Sequence, residues 1–268
     1  MSTHKIAIIG GGNLGSAIAL GLSTGKSNTA FGKITVTGRK MSKLEHLWEA
    51  GIEISTDNVK VTKESDIIIL CVLPGQMEKA LLKIKDVLDK KRHILVSTAT
   101  GIKTSQISSI VGEGVAVVRA MPNTATAIKQ SMTCICSENA SDEQVKIVTE
   151  IFNAVGETIV IDEQLMQAAT VLGASGIAFF LRFLRAATQG GIQMGFHPHE
   201  AQQIAVQTAI GASSLVKQNK NHPELEIDKV TTPRGCTIEG LNEMEHQGMS
   251  SAVIKGIMAS YEKINIIS

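Results

Sequence analysis

Two rhythms of apolar residues divide this 268-residue chain. In its first part, short continuous apolar runs alternate with stretches whose apolar residues recur every three or four positions. Residues 6–9 (IAII) form the first run, the pattern of a strand buried on both faces. Further strands are predicted at 33–37 (KITVT), 65–73 (SDIIILCVL), 93–97 (HILVS), 114–119 (GVAVVR), 132–136 and 157–161 (ETIVI), the last as an edge strand. Helices are predicted between them, over 13–23, 41–50, 77–88, 104–111 and 142–154. In the third of these, Met77, Leu81, Ile84 and Leu88 share one face. Strands spaced by helices imply an α/β fold with a parallel, doubly wound sheet.

From residue 162 onward only helical periodicity remains. Asp162 is placed as a cap for a helix over 165–172, which Gly173-Ala174-Ser175-Gly176 is expected to break. A second helix covers 177–194 and stops at Gly195. Pro198 opens a third, which runs to about 217 with Ile204, Ala205, Ala212, Leu215 and Val216 on one face. Residues 218–226 read as a polar loop, and two more helices cover 237–246 and 250–264. The domain division therefore falls near 162: a nucleotide-binding type of domain over 1–161 and an all-helical domain over 162–268.

The first strand runs into Gly10, Gly12 and Gly15, the G-x-G-x-x-G spacing of a dinucleotide-binding turn. Gly10 allows the tight bend, Gly12 the approach of a pyrophosphate, and Gly15 the packing of helix on strand. The following helix aims its first N–H groups at the phosphates. In such Rossmann-type domains an acid at the end of the second strand selects NAD by its ribose hydroxyl. Here that strand ends at Thr37 and is followed by Gly38, Arg39 and Lys40. Two cations suit a 2′-phosphate, so NADPH is expected over NADH.

Composition narrows the possibilities. Basic and acidic residues number 26 and 25, a net charge of +1 that gives no electrostatic reason to expect nucleic acid or an anionic membrane. Aromatics are only 3%, too few for base-stacking platforms. Cys71, Cys134, Cys136 and Cys236 form no C-x-x-C pair and read as small core residues, and no histidine spacing suggests a metal. The first apolar run ends in glycines, which argues against a signal peptide. The run 177–181 is cut by Arg182, so no membrane span is expected and a cytoplasmic setting is.

Three further stretches carry a resemblance: RAMPNT at 119–124, the QMG-x-x-x-x-x-A-x-x-x-A-x-Q-T stretch at 193–208, and TTPRGCTIEGL at 231–241. With GGGNLG they resemble Δ1-pyrroline-5-carboxylate reductase, from about residue 5 to 262. The resemblance implies an NADPH-dependent oxidoreductase of proline biosynthesis that transfers a hydride to the C=N carbon of a carboxylated cyclic imine. It implies that Asn13 and Leu14 touch the pyrophosphate and that Asn58 lies near the adenosine. It also places Val72, Leu73, Pro74 and Ala99 along the cofactor cleft and Asn123 beside the nicotinamide. Thr232, Gly235, Cys236 and Thr237 would hold substrate, with the Thr237 hydroxyl beside the ring nitrogen as donor or proton relay. For Thr237 an ordinary helix N-cap is the competing role. A homodimer through the helical domain, and larger rings of dimers, are implied as well.

The chain departs from the family pattern. Leu73 replaces a lysine, Ala125 a proline, Ile177 a proline and Arg234 a glycine, and Arg182 and Arg185 add charge to a helix that is usually acidic or neutral. These departures leave two alternatives open: a paralogue that reduces another cyclic imine or a small keto or hydroxy acid, and an NADP-binding protein without catalysis.

Overall fold

The computed structural model describes residues 4–23 and 31–267. It divides into two compact units, Met1–Ser175 with Tyr261–Ser268, and Gly176–Ser260.

The first unit is built on an eight-stranded sheet. Its strands are β1 (His4–Ile9), β2 (Phe31–Thr37), β3 (Glu53–Ser55), β4 (Ile67–Leu70), β5 (Ile94–Ser97), β6 (Ala116–Met121), β7 (Ser131–Cys136) and β8 (Gly156–Val160). The order is β3-β2-β1-β4-β5-β6-β7-β8, so the chain winds outward in both directions from β1 and β4. Side chains alternate across the sheet and make two cores. Ile6, Ile8, Ile67 and Ile69 face α1 (Asn13–Ser23), α2 (Glu45–Glu49) and α6 (Asp142–Asn153). Ala7, Ile9, Ile68 and Leu70 face α3 (Asn58–Glu64), α4 (Met77–Ile84) and α5 (Thr104–Val111).

Several details depart from the sequence pattern. The sheet is not wholly parallel: β7 pairs antiparallel with β6, Arg119 opposite Cys136. Their connection, residues 122–130, is too short for the crossover that a parallel pair needs. The helix expected over 41–50 is split at Leu44 into a 3₁₀ turn (Met41–Lys43) and α2. The buried strand expected over 65–73 pairs only as Ile67–Leu70. Two elements carried no strong pattern, the three-residue edge strand β3 and α3, which Asp57 caps by accepting from the N–H groups of Val59 and Lys60.

The GASG stretch does not break the helix. A 3₁₀ turn (Glu163–Leu165) leads into α7 (Met166–Ala169), then a π turn (Thr170–Ser175), then α8 (Gly176–Gln193) without interruption. Packing accordingly divides the chain after Ser175, later than the composition break at 162, because Met166 and its neighbours belong to a small core with Met121 and Cys136. The continuous run Glu163–Gln193 is also long and apolar enough to cross a membrane by length and composition, though little of it is buried.

The second unit contains α8, α9 (Pro198–Asn219), α10 (Pro223–Val230), α11 (Cys236–His246) and most of α12 (Met249–Ile267). α10 occupies part of the expected loop. Pro223 sits at its first turn, and the His222 ring accepts from the Glu224 N–H as a cap. Glu226 pairs with Lys229 at 2.8 Å, one turn on.

Candidate active site

The glycine turn after β1 is fixed by its surroundings. The Gly10 and Gly11 N–H groups both donate to the Thr37 carbonyl, at 3.1 and 2.8 Å, which bolts the turn to the end of β2. Gly10 has φ +111°, and a Cβ there would overlap the Cys71 carbonyl beyond β4. A Cβ at Gly15 would overlap the Gly10 carbonyl, so α1 can start this close to the turn only on a glycine. Gly12 differs, because a Cβ there would meet nothing within 4 Å among the described residues. The space beside Gly12 is open, in front of the first N–H groups of α1, which have no partners within the helix. Asn13 and Leu14 are the first two residues of that helix. Open backbone space ahead of unpartnered N–H groups is the chemistry that a pyrophosphate needs. Gly11 belongs to this cradle as well, since a Cβ there would overlap the buried Leu44 side chain. Sequence reading passed over Gly11, although a run of three glycines was the available signal.

Other predicted residues lie at the carboxyl ends of neighbouring strands, where an open α/β sheet binds ligands. Arg39 and Lys40 are exposed just past β2. Asn58 is the first residue of α3, beyond β3, and the nearby Asp57 carboxylate is occupied by its capping bonds. Val72 is half-buried past β4, Leu73 is 69% exposed, and Pro74 opens a 3₁₀ turn. Ala99 is buried past β5. Asn123 is buried past β6, and its amide is engaged by Ala125 and Gly173.

A buried ion pair stands on the same strand. Arg119 donates through Nη1 to Glu163 Oε1 at 3.1 Å, with the two side chains 3% and 10% exposed. Glu163 also accepts from the Thr104 N–H and hydroxyl, both at 2.8 Å. Burial alone would raise the Glu163 carboxyl, but these donors and Arg119 outweigh it and hold it below its ordinary value. Arg119 Nε and Nη2 are buried with no hydrogen-bond partner among the described residues. Burial also pushes the Cys71 and Cys136 thiols up to about 12, so both stay protonated and inert as nucleophiles.

In the second unit, the predicted substrate residues surround the start of α11. Arg234 has φ +60°, and the Gly235 N–H donates to the Thr232 carbonyl at 2.9 Å. A Cβ at Gly235 would overlap the Thr232 hydroxyl. The helix begins one residue earlier than expected, at Cys236, with Gly235 as N-cap. Thr237 is therefore not the cap. It occupies the second helical position, half-buried, and its hydroxyl is not spent on closing the helix end.

Residues 163–266 match the model described as pyrroline-5-carboxylate reductase dimerisation, and residues 5–101 the model of NADP oxidoreductase, coenzyme F420-dependent. Pyrroline-5-carboxylate reductase 2 of Dictyostelium discoideum is 43% identical over 98% of this chain and 92% of its own length. The chain belongs to the pyrroline-5-carboxylate reductase family. Pyrroline-5-carboxylate reductase 1 of the same organism is 44% identical over 97% of the chain, which spans only 49% of that longer relative. The solved structure of the Plasmodium falciparum pyrroline carboxylate reductase with NADP bound is 25% identical, with TM-score 0.86 and 98% of both chains covered.

Within the reductase family, the departures of this chain acquire physical content. Ile177 supplies an N–H at the start of α8 where proline has none, in keeping with a helix that runs on from the π turn. Arg234 holds a left-handed conformation that a glycine adopts without strain. The unit that matches the dimerisation model also exposes the apolar side chains of Phe180, Leu181, Ile210, Val253 and Ile254, as burial against a second copy of the chain would require.

Proposed function

We propose that the protein reduces the C=N bond of 1-pyrroline-5-carboxylate to L-proline with NADPH. The observation that carries this reading is near full-length similarity to named reductases, combined with a glycine cradle whose open side faces the first N–H groups of α1. Bound in that cradle, NADPH supplies the hydride. The α1 N–H groups hold the pyrophosphate, and Arg39 and Lys40 neutralise the 2′-phosphate. Residues 1–161 serve the cofactor, and residues 162–268 serve the substrate and the homodimer, with larger rings of dimers as a further step.

The N–H groups at the start of α11, behind Thr232 and Gly235, suit the substrate carboxylate, and Cys236 lines the same loop. Thr237, freed from capping, donates its hydroxyl hydrogen bond to the ring nitrogen and relays its proton. A cytoplasmic setting goes with this reading, since all four cysteines are free, as in a reducing compartment.

Exposed Leu73 and left-handed Arg234 favour one second reading, a paralogue acting on another cyclic imine or a small keto acid. Oxidation of NADPH with each acceptor separates the two. Robust turnover with pyrroline-5-carboxylate supports the first, turnover only with other acceptors the second, and tight NADPH binding without turnover refutes both. Thr237→Ala is expected to lower kcat well beyond its effect on melting temperature, and an unchanged kcat would remove Thr237 from the chemistry.

A further inference from the structure

Asn123 closes a path between two parts of the first unit. It is 6% exposed. Its Oδ1 accepts from the Ala125 N–H at 3.0 Å and so caps the 3₁₀ turn Thr124–Ile128. Its Nδ2 donates to the Gly173 carbonyl at 3.0 Å, and its own N–H donates to the Ser131 hydroxyl at 3.1 Å. Gly173 lies in the π turn Thr170–Ser175, directly ahead of α8. A π turn inserts a residue into the helical ladder and disturbs its carbonyl partners, and Asn123 supplies a donor at that point.

On its other side the capped turn meets the dinucleotide helix. A Cβ at Gly21 of α1 would overlap the Thr126 carbonyl, so helix and turn touch backbone to backbone. A continuous set of contacts therefore runs from α1 through Thr124–Ile128 and the Asn123 amide to Gly173. The Arg119–Glu163 pair ties β6 to the start of the same 163–175 segment, and Asn123 is a polar fastening near its far end, where Val171 is buried and Ala174 packs against Met121 and Cys136.

We propose that Asn123 is a positioning residue. Its side-chain amide passes the placement of α1 to the π turn, so that filling the dinucleotide cradle orders Thr170–Ser175, the covalent junction leading into the unit that carries Thr237. The catalytic part of this proposal rests on the reductase reading above; the ordering part does not.

Two variants separate the bonds. Asn123→Asp keeps the oxygen that accepts from Ala125 and loses the donor that faces Gly173. Asn123→Ser keeps a capping oxygen without adding charge and is too short for Gly173. Hydrogen exchange is read with and without saturating NADPH. In the parent protein NADPH slows exchange over both 124–128 and 170–176; in both variants protection remains over 124–128 and is lost over 170–176. With pyrroline-5-carboxylate, kcat/KM falls at least about 10-fold, and this fall exceeds any rise in the Kd for NADPH. Parent-like protection over 170–176 in both variants overturns the proposal. So does a fall in kcat/KM matched by an equal loss of NADPH affinity, which marks a merely structural residue. Exchange needs no imine, so failure of the parent to reduce pyrroline-5-carboxylate would overturn the reductase reading while the exchange result still decides this one.

Discussion

Removing one partner of the Arg119–Glu163 pair should cost far more than removing both. The pair is almost wholly buried, so either charge left alone has little water to turn to. In Arg119→Met the Glu163 carboxylate keeps its two Thr104 donors, which places the cost near the lower end of about 3–5 kcal/mol for breaking a buried pair. In Glu163→Gln the guanidinium, already lacking partners for Nε and Nη2, loses its counter-charge, and a cost toward the upper end is expected. For a unit of this size that corresponds to a fall in melting temperature of about 6–20 °C. The double variant replaces the pair by neutral groups of similar volume, and most of the loss should return. Thermal melts of the four proteins at one fixed concentration give the coupling energy, expected to be at least about 1 kcal/mol. Acid supplies a second check. Glu163 titrates below its ordinary value when folded, so its stabilisation is present at neutral pH and is lost as pH falls through the folded value. That part of the acid slope should vanish in Glu163→Gln. Additive single effects, with an unchanged acid slope, would refute the reasoning.

The glycine cradle gives a contrast between neighbours. Gly12→Ala meets open space, so its melting temperature should match the parent while its Kd for NADPH rises; Gly15→Ala overlaps the Gly10 carbonyl and should lose both stability and cofactor. Energy transfer from Trp48, the single tryptophan of the chain, offers a direct binding assay. Arg39→Ala should lower the preference for NADPH over NADH, expressed as kcat/KM, by about 10- to 100-fold, since a hydrogen bond to a charged group is worth about 1.5–3 kcal/mol; an unchanged ratio would remove Arg39 from the phosphate site. Arg234→Gly relieves a left-handed side chain but frees the unfolded chain, so the melting temperature should move little. Any change in KM for the imine then reports a contact of Arg234 with substrate.

The nucleotide-binding strands were legible because residues such as Ile67–Leu70 are buried on both faces and need apolar side chains throughout. The glycine turn was legible because its backbone tolerates nothing larger at Gly10 and Gly15. β3 escaped because an edge strand of three residues, two of them polar, leaves almost no pattern. The antiparallel turn of β7 escaped because periodicity reports a strand but not its direction. α10 could have been found, since Pro223 at its first turn, Glu224 and Glu226 behind it and Lys229 near its end are ordinary helix signals. The GASG stretch misled because small residues break an isolated helix but are tolerated in one whose π turn is held by Asn123. At the site, the spacing of glycines and the two cations past β2 were visible, whereas the Thr237 position depended on a helix start that shifted by one residue once Gly235 became the cap.

The antiparallel pairing of β6 with β7 has a consequence for the order of folding. Residues 122–130 are the whole connection between these two strands, whereas β1 meets β4 only across residues 10–66. Closing the shorter loop costs less chain entropy, so the β6–β7 pair is expected to form ahead of the parallel pair at the centre of the sheet.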